Sequence, residues 1–260
     1  MPSAPTPTCS RRRLALGALL LLAHALAVAS TASRPPLPVR SIAVSRPKWA
    51  TRTDAPSPDT PYWEDPRIHN FGNVGFLGTV HALVAPMFTH MIDRFAYDGV
   101  DARKLIHTAI DPAHSVVDFC CGTAFSTPKG ATAVDTSKQM LGVASLWRRD
   151  ATFVQGNAET WGEDASFDVV TVMFGMHEMP RWARQKVLRN AARVARKQVL
   201  VADIDPNFSP PDVMLTGEPY VLDYCQHIDA DVSEVAQTRA WRHARITVVP
   251  EHVILWRLDL

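Results

Sequence analysis

The sequence predicts an α/β fold with a mostly parallel, doubly wound sheet, preceded by helices and ended by an antiparallel hairpin. From residue 113 onward, short apolar runs alternate with stretches of helical periodicity. This alternation is typical of parallel strands that helices cover on both faces. At the end of the chain two β-rich runs are joined only at Pro250-Glu251, a connection so short that it predicts a hairpin.

Seven strands and three helices are predicted in this part of the chain. The strands are predicted at residues 115–120, 131–135, 152–155, 167–174, 198–204, 244–249 and 252–258. The helices are predicted at residues 137–148, 181–195 and 232–242, from their apolar spacing.

Residues 61–112 are predicted to form a helical lid. Apolar side chains recur at helical spacing over 75–97, which indicates one long helix or two, with a kink at Pro86. A short second helix is expected after Asp101, its N-cap, and before Asp111-Pro112. We expect the apolar stripe of the first helix to pack in the core or the lid rather than to face a membrane.

The N-terminal segment has the composition of a targeting sequence. Arg11 to Arg13 and the fifteen mostly apolar residues 14–28 have the pattern of a signal peptide, and Ala27-Val28-Ala29 supplies a cleavage site, so 1–29 is predicted as a signal peptide. Residues 30–60 are rich in Ser, Thr, Pro and Arg and are expected to be disordered and transit-like. This predicts entry into the secretory pathway, then a plastid through a two-part leader, or secretion or an endomembrane lumen. A signal anchor or an incorrect start remains the alternative.

Charge is distributed unevenly along the chain. The 27 Lys+Arg and 26 Asp+Glu give a formal net charge of +1, but residues 1–53 hold eight basic side chains and no acidic one. Nineteen basic against 26 acidic residues therefore remain in 54–260, a formal charge of −7. An acidic body disfavours a nucleic-acid partner. We expect no membrane span in the mature protein, and the sequence does not predict an oligomeric state.

Four short motifs follow the predicted strands in order. They read Val116-Val117-Asp118-Phe119-Cys120-Cys121-Gly122-Thr123-Ala124, then Ala133-Val134-Asp135-Thr136-Ser137, then Gln155-Gly156-Asn157-Ala158-Glu159, and Ser166-Phe167-Asp168-Val169-Val170 with Phe174-Gly175-Met176-His177-Glu178. Together they resemble the class I S-adenosylmethionine-dependent methyltransferases, over roughly residues 115–260. The resemblance implies a Rossmann-like seven-stranded sheet, a methyltransferase domain at 113–260 and S-adenosylmethionine as cofactor.

The same resemblance implies which residues contact the cofactor. The first motif would hold its methionine end, and Asp135 would accept hydrogen bonds from the ribose hydroxyls, since an ionised carboxylate is acceptor-only. Met140 would pack near the adenine, and Asn157 and Ala158 would meet the adenine edge. The implied cofactor-binding residues are Asp118, Cys120, Gly122, Ala124, Asp135, Thr136, Met140, Asn157, Ala158 and Phe174.

The first crossover departs from the family pattern. Cys120 and Ala124 stand where the family has glycines, and a Cβ there requires φ<0 or crowds the cofactor. Only thirteen positions separate Gly122 from Asp135, which leaves room for one or two helical turns. The chain is either a shortened variant or lacks a small piece through an incorrect gene model.

His177 and Glu178 are the candidate catalytic residues, because the loop after the fourth strand faces the methyl group in this family. A histidine there could accept a proton from the acceptor, or could simply hydrogen-bond the loop. Asp203 and Asp205 are expected beside the same cleft, as ligands of a polar group or as loop residues, and no metal is predicted. The loop lacks Asn-Pro-Pro-Tyr, which favours a small-molecule acceptor of unknown methylated atom.

Two other functions compete with methyl transfer. The first is a non-catalytic, methyltransferase-like scaffold that has lost cofactor binding through the short crossover. The second is a nicotinamide-dependent enzyme, which the turn Cys120-Cys121-Gly122-Thr123-Ala124 disfavours because it does not supply G-x-G-x-x-G.

Overall fold

The protein folds around one seven-stranded sheet, in a computed structural model that describes residues 60–260. The predictions of a signal peptide and a transit-like segment lie outside the described residues, apart from residue 60. The strands are β1 Val116–Phe119, β2 Thr132–Asp135, β3 Thr152–Gln155, β4 Phe167–Met173, β5 Ala195–Ile204, β6 Arg242–Val249 and β7 Val253–Asp259.

The sheet confirms the predicted α/β class and the mixed strand directions. Its order is β3-β2-β1-β4-β5-β7-β6. Strands β1 to β5 are parallel, and β7 runs antiparallel to both β5 and β6, so the C-terminal hairpin closes one edge. All four residues of β1 are buried, as expected for a central strand covered on both faces.

Six helices accompany the sheet in the described part of the chain. They are α1 Gly75–Phe95, α2 Ala102–His107, α3 Lys138–Trp147, α4 Arg181–Val194, α5 Asp212–Gly217 and α6 Val221–Thr238. Asp101 is the N-cap of α2, as predicted, and accepts a hydrogen bond from the Lys104 backbone N–H.

The helix predicted at 232–242 was placed wrongly. The apolar periodicity begins earlier, with buried residues at Val221, Tyr224 and Ile228, so α6 starts eleven residues before the predicted position. The helix also ends at Thr238, because the chain must enter β6 at Arg242. Strand β5 likewise begins three residues before its predicted start.

Helix α1 departs from the packing that was expected of its apolar stripe. It continues through Pro86 as one helix, and its buried residues are Gly78, His81 and Ala82. Large side chains of the stripe are exposed instead, with Phe76 at 81% and Leu83 at 61%. Within residues 60–260, α1 is the one helix whose length and composition would allow it to cross a membrane.

The first crossover contains no helix, in contrast to the one or two turns that were expected. Side chains hold the segment 120–131 instead. The Arg148 guanidinium donates from Nη1 to the Ala124 carbonyl oxygen at 2.5 Å and from Nη2 to the Thr127 carbonyl oxygen at 2.9 Å. The Thr127 hydroxyl in turn donates to Asp118 Oδ2 at 2.6 Å. These bonds replace helix packing as the means of ordering this loop.

Candidate functional site

A cavity of about 610 Å³ opens at the carboxyl ends of the central parallel strands, between the sheet and the N-terminal segment. In an open α/β sheet this is the edge at which ligands bind. Its size is typical of a small-molecule site. Of the residues implied by the family resemblance, ten line this cavity: Cys120, Gly122, Asp135, Thr136, Met140, Asn157, Ala158, Phe174, His177 and Glu178.

Two of the implied cofactor contacts, Asp118 and Ala124, do not line the cavity. Both are fully enclosed. The Asp118 carboxylate accepts hydrogen bonds from the hydroxyls of Thr127 and Thr171, each at 2.6 Å, and burial raises the pKa of Asp118 to about 6. In this structure Asp118 therefore ties β1 to β4 and to the crossover from behind the cavity wall.

Asp135 fixes the floor of the cavity at the end of β2. Its Oδ2 accepts the Gly122 backbone N–H and its Oδ1 accepts the Ser137 backbone N–H, each at 2.8 Å. Burial raises the pKa of Asp135, and these backbone donors oppose that effect. A carboxylate offers about four acceptor positions, so Asp135 can still accept from a ligand hydroxyl.

The turn after β1 adopts a left-handed backbone at three positions. Cys120, Gly122 and Ala124 have φ of 58°, 53° and 60°. Only glycine takes this conformation without steric cost, so Cys120 and Ala124 adopt it at a cost of roughly 1–2 kcal/mol each. A Cβ built on Gly122 would meet nothing within 4 Å, so the backbone there faces open space.

His177 and Asp203 form a buried ion pair beside the cavity. The 3-10 turn Met176–Glu178 follows β4, and Asp203 lies near the end of β5. Asp203 Oδ1 lies 2.6 Å from His177 Nδ1, and its Oδ2 accepts the backbone N–H of Met176 at 2.8 Å. Burial alone would lower the pKa of His177, but the nearby carboxyl groups, Asp203 foremost, with Glu218 and Glu178, together outweigh it and raise the pKa to about 10.

Glu178, unlike its neighbour His177, has a pKa close to neutral pH. It lines the cavity with a quarter of its side chain exposed. Burial raises its pKa to about 7, although the charge on His177 opposes this. The carboxyl group can therefore take up or release a proton near neutral pH.

The roof of the cavity contributes residues that sequence reasoning did not bring together. The 3-10 turn Ile68–Asn70 packs against α5. It places His69 Nε2 at 3.0 Å from Glu218 Oε1 and 3.8 Å from Glu178 Oε1. His69 lies in the predicted helical lid, but its contact with Glu218 was not predicted, since no local motif links positions so far apart.

The cysteines near the cavity have thiols of raised pKa. Cys120, Cys121 and Cys225 are free within the described residues, and burial raises the pKa of the Cys120 and Cys121 thiols well above their ordinary range. No group of three or more His, Cys, Asp or Glu residues in 60–260 is arranged to hold a metal ion.

Comparison with known proteins points to one family. Residues 116–198 match the family model described as a methyltransferase domain. An uncharacterized methyltransferase of Synechocystis sp. is 29% identical over 188 residues, which cover 65% of this chain and 86% of that protein. A demethylmenaquinone methyltransferase of Bacillus mycoides is 31% identical over 128 residues, and the match spans about half (52%) of its length and 44% of this chain.

Two solved structures that resemble the chain are methyltransferases by description. One is a methyltransferase of Thermotoga maritima described as a possible histamine N-methyltransferase, at 14% identity, TM-score 0.48, and coverage of 69% of this chain and 98% of that one. Another is the magnesium protoporphyrin IX methyltransferase of Synechocystis with bound S-adenosylhomocysteine, at 15% identity, TM-score 0.44, and coverage of 72% and 89%.

Proposed function

Because the chain belongs to the class I S-adenosylmethionine-dependent methyltransferases, we propose that it transfers a methyl group from S-adenosylmethionine to a small-molecule acceptor in the cavity. The observation that carries the proposal is the Asp135–Gly122 floor. It offers open carboxylate lone pairs and an unobstructed glycine backbone side by side at the carboxyl ends of β1 and β2.

The residues around this floor fit the cofactor. Asp135 would accept the ribose hydroxyls, Met140 would pack on the adenine, and Asn157 and Ala158 would meet the adenine edge, all from positions that line the cavity. Cys120 and Gly122 would lie along the methionine end. S-adenosylmethionine supplies an electrophilic methyl group when bound, so the remaining task of the protein is to orient the acceptor and exclude water.

The charges of the site favour different roles for the two candidate catalytic residues. With a pKa of about 10, His177 carries its proton at neutral pH and cannot accept another. Glu178, with a pKa of about 7, is the better general base for a proton leaving the acceptor. His177 then serves as a fixed positive charge that favours the negative charge developing on the acceptor.

Two considerations bear on the acceptor and on the scaffold alternative. The cavity persists although the first crossover lacks its helix, which argues against a scaffold that lost cofactor binding for that reason. The name of the Bacillus relative, a demethylmenaquinone methyltransferase, fits a small organic acceptor, and the large apolar part of the cavity wall agrees with it.

Calorimetric titration of the full chain with S-adenosylhomocysteine tests this proposal. We expect binding at a single site, its loss in Asp135→Ala, and unchanged binding in Asp164→Ala, an exposed acid that pairs with Arg193. Absence of heat at millimolar ligand would contradict the proposal. With labelled cofactor and metabolite extract as acceptor, Glu178→Gln is expected to lower transfer by about 10²- to 10⁴-fold while S-adenosylhomocysteine still binds.

The destination of the chain is a separate proposal. Residues 1–60 are proposed to lead it into the secretory pathway and then to a plastid, or to leave it in the lumen or outside the cell, on the strength of the signal-like and transit-like composition. Fusing these residues to a fluorescent protein in an algal cell tests this, and cytosolic fluorescence would overturn it.

A further inference from the structure

Between the N-terminal segment and α5, the roof of the cavity holds a polar cluster that the proposed cofactor contacts do not use. Its members are His69, Asn70, Asn73 and Glu218, all of which line the cavity. His69 keeps 35% of its side chain exposed there, and its Nε2 lies 3.0 Å from Glu218 Oε1. Glu178 approaches the same nitrogen at 3.8 Å, so the cluster adjoins the proposed general base.

Four buried polar atoms of this cluster have no hydrogen-bond partner within the described part of the chain. They are His69 Nδ1, Asn70 Oδ1, Asn73 Oδ1 and Glu218 Oε2. A buried donor or acceptor without a partner is costly, and few exist in a native protein. Four in one corner of a cavity indicate a surface that is completed by the polar groups of a ligand.

The backbone holds these side chains in place at a conformational cost. His69 and Asn70 both have positive φ, 50° and 62°. Gly217 packs so closely that a Cβ there would lie 2.8 Å from Asn70 Nδ2 and 3.4 Å from His69 Cα. Strain of this kind persists only where the surrounding structure fixes it, and it is concentrated at functional sites.

Charge around the cluster favours an uncharged ligand. The titratable groups facing His69 are His81 on α1, His177 and Glu178 on the 3-10 turn, and Glu218. Burial lowers the pKa of His69, with His81 and His177 adding to the effect, and raises the pKa of Glu218. Burial therefore favours the uncharged forms of His69 and Glu218, and the Glu178 carboxyl group beside them disfavours an anionic ligand.

Aromatic rings form much of the remaining wall. Those lining the cavity include Trp63, Phe71, Phe88, Phe125, Phe174 and Phe208. Such a wall suits a planar apolar body, and the few polar groups then fix its orientation.

We propose that His69 and Glu218, supported by Asn70 and Asn73, bind an oxygen substituent of a hydroxylated aromatic acceptor next to the hydroxyl that faces Glu178. The adjacency follows from the convergence of Glu178 and Glu218 on one His69 nitrogen. This inference rests on the proposed methyltransferase function and names the substrate class of the same cavity.

Two ligands that differ in one hydroxyl test the inference. Fluorescence titrations of the full chain, saturated with S-adenosylhomocysteine, would compare 2,3-dihydroxynaphthalene with 2-naphthol. We expect the wild type to bind the diol about 10-fold or more tightly, because a site built for a hydroxyl discriminates against the ligand that lacks it. Glu218→Gln and His69→Asn are expected to remove most of that preference and to leave 2-naphthol affinity within about twofold. Asparagine at position 69 tolerates the positive φ.

A variant away from the cavity serves as the control. Glu163→Gln alters an exposed acid and should keep the preference. The inference would be overturned if the wild type bound the two ligands equally, or if the preference for the diol survived in both roof variants. In either case, binding of S-adenosylhomocysteine would leave the proposed function standing. Failure of S-adenosylhomocysteine itself to bind would instead count against the proposed function.

Discussion

Asp203 holds His177 from two sides, by a 2.6 Å contact from its Oδ1 to the imidazole Nδ1 and by accepting the His177 backbone N–H at 3.2 Å through Oδ2. The carboxylate therefore sets both the ring orientation and the turn that carries it. A histidine oriented in this way keeps one nitrogen committed to its partner, so its chemistry toward the cavity is that of the other nitrogen.

This pair predicts a pH dependence of stability. The pKa of His177 is about 10 in the folded protein, above its ordinary value of about 6.5 when unfolded. The ion pair therefore stabilises the fold fully below about pH 6.5, and its contribution falls as the pH rises toward 10. In urea unfolding, Asp203→Asn should be less stable than the wild type by on the order of a few kcal/mol near pH 6.

The difference in free energy of unfolding between the wild type and Asp203→Asn should shrink steadily between pH 7 and 10. The exposed His243→Gln variant should follow the wild-type curve throughout. A wild-type-to-variant gap that stays constant across this range would show that His177 is not held protonated by Asp203.

Two glycines in helices are predicted to respond oppositely to alanine. Gly142 lies in α3 with nothing within 4 Å of an added Cβ, so Gly142→Ala should raise the free energy of unfolding by about 0.5–1 kcal/mol. At Gly78 in α1 the Cβ would lie 2.6 Å from the Asn73 carbonyl carbon. Backbone must move there, and Gly78→Ala should cost about 1–3 kcal/mol. Chemical denaturation measures both, and equal shifts would refute the packing at Gly78.

Arg148 is predicted to order the helix-free crossover. Arg148→Ala removes two charge-assisted hydrogen bonds to the Ala124 and Thr127 carbonyls, each worth about 1.5–3 kcal/mol. We expect faster amide hydrogen exchange over 122–130 and weaker S-adenosylhomocysteine binding. Arg149→Ala, at the exposed neighbouring position, should change neither. Unaltered exchange in the Arg148 variant would mean that the loop is ordered by other contacts.

Asp231 is predicted to stabilise the contact between α4 and α6 as a buried acceptor. Its carboxylate accepts from Arg181 at 2.9 Å and Gln185 at 3.1 Å and pairs with Arg184 at 3.4 Å, and Arg184 and Asp231 are both 0% exposed. Asp231→Ala should lower the free energy of unfolding by about 1.5–3 kcal/mol, because it removes buried hydrogen bonds to charged groups, although Arg184 keeps its 2.7 Å contact with Asp223.

Glu234 provides the matched comparison on the same helix. It is 51% exposed and pairs with Arg189 at 3.2 Å, so Glu234→Ala should cost less than about 1 kcal/mol. Urea unfolding at neutral pH gives both values, and similar costs for the two variants would contradict the burial of Asp231.

Local patterns were sufficient to predict the sheet. Strands such as Thr152–Gln155 coincide with their predicted bounds, and the Pro250-Glu251 connection forms the predicted hairpin between β6 and β7. Each of these elements is encoded within a few consecutive residues. Errors arose where a helix continued into a less regular region, as in α6, or where tertiary contacts replaced an element, as Arg148 does in the first crossover.

The site was predictable only in its local parts. Asp135 and Asn157 were identified because each belongs to a short motif at a strand end. The pairing of Asp203 with His177, and the meeting of His69 with Glu218, depend on how β5 and the roof fold back over the sheet. No periodicity or spacing encodes such contacts, and the ordinary appearance of His69 in a proline-rich stretch gave no signal.

The roof joins residues near the start of the described chain to the segment that follows β5. Besides the His69–Glu218 contact, Tyr220 donates its hydroxyl to Asp65 across 155 positions. Contacts of such long sequence separation form late in folding, because the chain must first lose the entropy of closing a large loop before these contacts can stabilise it. The acceptor half of the cavity therefore forms only after the segment around Glu218 and Tyr220 has folded back onto residues 65–69.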